Sequence, residues 1–254
     1  MDMVMSAVLF VLGAIIASFI GVVAARLNTG QTFLKGRSRC DACNAPLAPA
    51  ALLPIVSYGV LRGHAQCCGA RLSPVEPLIE VLLGSLFVLA YGSMGLTDAL
   101  PALLLSLALL LALVLYDLQH QILPPVLLYF FVLSSGCVAL LSASSLTAFY
   151  EVGAQALLIG GSLAALHVLS RGRAMGFADA PLAFGLALLT GAVAFTGFVF
   201  SFWIGAVVGI VLLARRPRGS RIGVEVPFAP FLATGFLLAL FTQWNLFTLV
   251  LMWH

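Results

Sequence analysis

The sequence predicts an all-α membrane protein, a bundle of about eight transmembrane helices with a cysteine-containing cytoplasmic loop between the first two. Three observations predict it. Long apolar runs recur along the 254 residues, and the chain is 62% hydrophobic and only 8% charged, with a mean hydropathy of +1.15. That composition excludes a soluble globular domain and fits a polytopic helical protein. All 12 basic residues lie outside the runs, in alternate connecting segments. The hydrophilic residues gather in one stretch from about Arg26 to Pro74.

Taken in order, the apolar runs place spans near residues 4–25, 76–94, 98–116, 122–142, 149–169, 179–195, 197–214 and 228–251. The first follows a single acid, Asp2, and has no basic leader before it. It is also too long for the apolar core of a signal peptide, so it reads as a retained span entering from outside. The sixth and seventh form one apolar stretch broken only by small residues around Gly191 and Gly197, too long for a single crossing. The organisation expected is a first helix (1–25), a loop domain (26–75) and a membrane domain of about seven helices (76–254).

The basic residues orient the chain. Arg26, Lys35, Arg37, Arg39, Arg62 and Arg71 follow the first span, Arg171 and Arg173 the fifth, and Arg215, Arg216, Arg218 and Arg221 the seventh. Positive charge marks cytoplasmic loops, so these three segments are expected inside and both termini on the extracytoplasmic side.

That orientation, obtained without reference to acids, puts Asp117 and Asp179 at the same cytoplasmic edge. Asp117 closes the run Leu103 to Tyr116, and Asp179 opens the run that starts at Pro181. A carboxylate beside hydrocarbon is costly and marks a functional site by default. Two carboxyls sharing a site cannot both ionise cheaply, so one keeps a proton, the working state of an aspartic protease. The alternative is that each only marks a membrane boundary, Asp179 near a helix N-terminus where the dipole favours an acid and Asp117 solvated in a short loop.

The loop holds four of the five cysteines, Cys40-Asp41-Ala42-Cys43 and the adjacent Cys67-Cys68. In a reducing compartment such clusters point to metal rather than disulfides. A tight Cys-x-x-Cys turn supplies two of the four ligands zinc needs. A second such pair is absent, because Ala65 stands three residues before Cys68. Cys40, Cys43 and Cys68 are therefore expected ligands with Cys67 or His64 as the fourth, against a loop that holds no metal. Cys137 lies alone in the fourth span and reads as a small core residue.

These residues, in this order, resemble the bacterial type IV prepilin peptidases over nearly the whole chain. The resemblance runs through Ser18-Phe19-Ile20-Gly21-Val22 with Arg26-Leu27, then Cys40 and Cys43, Leu53-Pro54 with Ser57-Tyr58, and Leu61-Arg62-Gly63. Cys68-Gly69, Pro77-Leu78-Ile79-Glu80, Tyr116-Asp117-Leu118 and Leu123-Pro124 follow. Met175-Gly176-Phe177-Ala178-Asp179 is similar to the family's GxGD motif, and Pro227-Phe228-Ala229-Pro230 to its closing Pro-Phe-Gly-Pro segment. The departures are Ala178 for the motif's second Gly, Pro181 for a usual Lys, Pro125 for a second acid, Ala65 for a cysteine and Gly21 for Asn.

The resemblance implies an aspartic endopeptidase in the bacterial cytoplasmic membrane, with Asp117 and Asp179 catalytic. Its substrate would be a type IV prepilin or pseudopilin, cut on the cytoplasmic side after a Gly and before an apolar helix. It also implies methylation of the new N-terminus with S-adenosylmethionine, for which the residues show no glycine-rich nucleotide cradle. The partners implied are the prepilin and the bilayer, and no nucleic acid. Two alternatives stay open: a peptidase without methyl transfer, and an inactive relic acting as a membrane adaptor, which would account for Ala178 and Ala65. A proton-coupled transporter would show internal repeats and broken helices near mid-membrane, which the sequence does not display. Glu80, within the second span, reads either as an acid of the active cavity or as an interfacial acid reaching the surface. His120 reads as a solvated loop residue and His167 as a polar packing residue of the fifth span.

Overall fold

The computed structural model describes residues 2–26, 42–43, 45–46, 54–173, 175–215 and 227–245. The chain divides into two compact units, Met1–Gly95 and Leu96–His254.

In the first unit, α1 (Asp2–Arg26) and α3 (Val75–Met94) pair side by side, and the five-residue α2 (Val56–Val60) lies between them in sequence. The pair is antiparallel. Tyr91 Oη donates to Asp2 Oδ1 at 3.1 Å near one end, and Gly21 faces the Ile79 side chain near the other. At the centre Gly13 lies against Gly84, where a Cβ on Gly13 would come within 2.8 Å of the Gly84 Cα. The buried face of α1 is mostly small, with Ala14, Ala17 and Ala24 beside Leu9 and Ile20, while Val4, Val8, Val11, Ile15 and Phe19 are exposed. Small residues inside and large apolar residues outside is the arrangement of a helix whose solvent is lipid.

Before α3 the chain forms a small knuckle. Leu72 N–H donates to Gly63 O at 2.8 Å, Ala65 N–H to Ala70 O at 2.7 Å and Gly69 N–H to Ala65 O at 2.8 Å, around an antiparallel bridge between His64 and Arg71. Cys67 and Cys68 sit at its tip.

The second unit holds α4 (Leu100–His120), α5 (Pro125–Ser142), α6 (Leu146–Leu169), α7 (Asp179–Thr190), α8 (Ala194–Arg215) and α9 (Ala229–Thr242). Its helices start where the sequence permits. Pro125 opens α5 and Pro101 and Pro230 lie in the first turns of α4 and α9, positions that need no N–H donor. Pro181 falls in the first turn of α7 for the same reason. Ser145 caps α6, its hydroxyl accepting from Ala148 N–H at 3.2 Å. The axis of the unit is α7, of whose 12 residues ten are buried. It packs against α6 where Gly160 meets Phe184, and against α5 where Gly185 meets Phe131. Cys137, expected in the core, is instead exposed on α5. A thiol behaves as a small hydrophobe, so a lipid-facing position suits it as well as the core.

Six helical stretches among the described residues are long and apolar enough to cross a membrane, with Ala229–Thr242 as a shorter apolar helix. The eight expected spans correspond in order to α1 and α3 to α9. The sixth and seventh, continuous in hydropathy, are separated at Gly191, whose φ of +59° ends α7. At 12 residues α7 is about 18 Å long, short of the ~30 Å hydrocarbon core.

Candidate active site

Asp117 lies in the last turn of α4, and Asp179 is the first residue of α7. Both are buried, 6% and 8% exposed respectively. They line one cavity of about 720 Å³, together with Gln121, Arg173, Gly176, Phe177 and Phe228 among others. The two carboxyls are within electrostatic reach of each other. The fold thus brings together two acids far apart in sequence, and it does so at helix ends.

Each of the two acids is tied to neighbouring backbone. Asp117 Oδ2 accepts from Ala229 N–H at 3.2 Å, the first residue of α9. Asp179 N–H donates to Gly176 O at 3.3 Å, and its Oδ2 lies beside the Gly176 backbone, 3.6 Å from where a Cβ would stand. The contact to α9 was invisible to sequence reasoning, because a backbone N–H leaves no mark on residue type. The only signal was the Pro227-to-Pro230 segment itself, a helix start beginning in a polar-to-apolar transition.

Ala178, where a glycine is expected, has φ −66° and ψ −18°. That is ordinary right-handed backbone, so the Cβ introduces no strain. Gly176 is likewise not among the residues of positive φ, and a Cβ there would meet Asp179 Oδ2 at 3.6 Å, an ordinary contact. His120, expected in a loop, is the last residue of α4 and exposed, its ring tilted at 42° against Tyr116 with centroids 4.4 Å apart.

Two carboxyls facing one cavity can move protons between a bound water and a polarised carbonyl, one as base and the other as acid. Phe177, Phe202 and Phe228 give the cavity an apolar wall, suited to a chain segment that also carries apolar residues.

Glu80 is buried in the first unit at 5% exposure. Its Oε2 accepts from Ile55 N–H at 2.7 Å, and it is not among the described residues lining the cavity.

Cys43, Cys67 and Cys68 converge, their sulfurs all within 4.8 Å of one another. Cys43 Sγ lies 3.2 Å from Cys67 Sγ, and Cys67 Sγ 3.9 Å from Cys68 Sγ. Tetrahedral zinc with Zn–S bonds of about 2.3 Å sets its sulfurs about 3.8 Å apart, so these three thiols are close enough to hold a metal ion. Cys40 lies outside the described residues. His64 does not join the group, its Nδ1 lying 2.9 Å from Arg62 O. Ala65, in place of a cysteine, is buried at 4% and its backbone closes the knuckle that presents Cys67 and Cys68.

Comparison with known proteins supplies the last observation. Residues 11–94 match the bacterial peptidase A24 N-terminal domain. The chain is 30% identical over 258 residues to a prepilin leader peptidase/N-methyltransferase of Stutzerimonas stutzeri, covering 88% of this chain and 86% of that protein. It is 29% identical over 242 residues to the protein of that name from Bacillus subtilis, covering 92% and 93%. A third, from Myxococcus xanthus, is 40% identical over 116 residues, a match that takes in 46% of this chain but only 35% of that protein. No solved structure matches the chain significantly. Near-complete coverage in two such relatives, on a helical membrane architecture with paired buried acids, places the chain in the prepilin leader peptidase/N-methyltransferase family.

Proposed function

We propose that Asp117 and Asp179 are the catalytic pair of an aspartic endopeptidase that removes the leader of a type IV prepilin or pseudopilin. The observation that carries the reading is the shared cavity lined by both buried carboxyls, in a chain of a leader-peptidase family. The carboxylate deprotonates a water as it attacks the scissile carbonyl. The carboxylic acid donates to the carbonyl oxygen, and a proton then passes to the leaving amine. The arginine-bearing segments support a cytoplasmic face of the bacterial inner membrane for this chemistry, with both termini outside. In this organisation residues 26–75 form the loop domain and 76–254 the peptidase domain.

The test is cleavage of a prepilin by the purified full chain in lipid. Asp117→Asn and Asp179→Asn keep the shape of each side chain but not its proton exchange. Each is expected to lower cleavage more than about a hundredfold with helical content unchanged. Cleavage retained by either variant overturns the pair. The inactive-relic reading loses one of its two supports, since Ala178 sits in unstrained helical backbone.

The loop thiols support zinc as a structural metal, with Cys43, Cys67 and Cys68 as ligands and Cys40 as the fourth. When bound, zinc would tie the Cys40–Cys43 segment to the knuckle. Methyl transfer from S-adenosylmethionine comes to this chain through the relatives' name. It is tested on the same product, as the mass of one methyl group on the new N-terminus.

A further inference from the structure

We infer that His167 is a positioning residue for Asp179, acting through the single peptide group that joins Met175 to Gly176. The inference rests on the proposed role of Asp179 as a catalytic carboxyl. His167 lies in the last turn of α6, and the segment from Ser170 to Ala178 connects it to α7.

His167 grips that segment at both ends. Its carbonyl accepts from Gly172 N–H at 2.8 Å and from Ser170 Oγ at 3.1 Å. Its ring Nδ1 lies 2.9 Å from Met175 O. A carbonyl oxygen only accepts, so the proton of this hydrogen bond is on Nδ1. The ring also packs edge-on against Phe177, centroids 5.5 Å apart. The chain turns beneath it through Arg171 (φ +53°) and Gly172 (φ +76°), where a Cβ on Gly172 would lie 3.4 Å from His167 Cε1.

The geometry at the far end makes this more than loop packing. A trans peptide group is planar, and its C=O and N–H point in opposite directions. The C=O of Met175 is held by His167, and the N–H on the other side of that same peptide is Gly176's, the residue whose own C=O accepts the Asp179 N–H at 3.3 Å. Fixing the oxygen fixes the plane of that peptide, and with it the Gly176 backbone. Asp179 is thereby oriented in the cavity by a side chain that does not line it.

The experiment compares His167→Ala, His167→Asn and His167→Gln in the full chain in lipid. Asn places an N–H donor where Nδ1 stands, whereas Gln places it near Nε2. We expect His167→Ala to lower kcat for prepilin cleavage about ten- to a hundredfold with KM within about twofold. His167→Asn should recover most of the loss and His167→Gln little of it. Amide exchange at Gly172 to Asp179 should accelerate about tenfold or more in the Ala variant, with α4 and α5 unchanged, and return in the Asn variant. Unchanged kcat, unchanged exchange, or equal behaviour of Asn and Ala overturns the inference. A wild-type chain that cleaves no prepilin defeats the proposed function instead, and the exchange pattern then decides the grip by itself.

Discussion

Asp117 sits at the C-terminal end of α4, where the helix dipole disfavours an ionised carboxylate, yet its Oδ2 receives the Ala229 N–H from the start of α9. A second helix thus supplies the favourable pole that the first withholds. Glu80 is served differently. It accepts from the N–H of Ile55, whose φ of +60° costs a β-branched residue about 1–2 kcal/mol. A buried carboxylate bonded to a strained turn anchors the Ile55 turn to α3. Glu80→Gln keeps the acceptor oxygen and is expected to leave cleavage within about threefold of wild type, whereas Glu80→Leu orphans the Ile55 N–H and destabilises by about 1–3 kcal/mol. Thermal unfolding and cleavage of the two variants check this, and loss of cleavage in Glu80→Gln would make Glu80 a working acid instead. The thiols give a second residue-scale prediction. Metal analysis of the purified chain should find about one zinc per chain, lost in Cys43→Ser. Cleavage should persist, because Asp117 and Asp179 stand on helices the metal does not build.

At the scale of elements, α1 and α3 meet through glycine. A Cβ on Gly84 would lie 2.8 Å from Phe10 O, a backbone atom that cannot swing aside. Gly84→Val must push the two helices apart, and overpacking of this kind costs about 1–3 kcal/mol. Gly92, on the same helix with open space around it, is the control. The Gly84 variant should lose thermal stability and Gly92→Val should not, and equal stability of the two would refute close packing at this crossing. The helices themselves were legible in the sequence, since an apolar run of span length admits little else. So was the division at Gly191. The length of α7 was not, because hydropathy is blind to whether an apolar residue faces lipid or protein, and α7 faces protein almost everywhere. For the same reason Cys137 was expected inside and lies outside. The acids of the site were legible from their rarity next to hydrocarbon. The backbone donor to Asp117 and the grip of His167 were not, because each depends on tertiary placement rather than on residue type.

The whole molecule poses a question of sidedness, since a leader peptidase is useful only if its cavity opens where leaders are. Charge answers it. The arginines near the cavity are Arg171 and Arg173 after α6 and Arg215 at the end of α8, while the connection between α3 and α4 carries only Asp98. Basic residues resist export and stay on the cytoplasmic side. The same rule applied to each connection gives one consistent expectation, and that makes the orientation testable as a whole. In a chain with its native cysteines replaced, single cysteines at Arg171 and at Asp98 should label in opposite ways with a membrane-impermeant maleimide. Asp98→Cys should react in intact spheroplasts, and Arg171→Cys only after the membrane is opened. The reverse pattern would put Asp117 and Asp179 on the wrong face for a leader still inside the cell, and the proposed substrate would fall with it. Labelling of both sites from one side would mean instead that the number of crossings between them, α4 to α6, is not the odd number the three apolar helices supply.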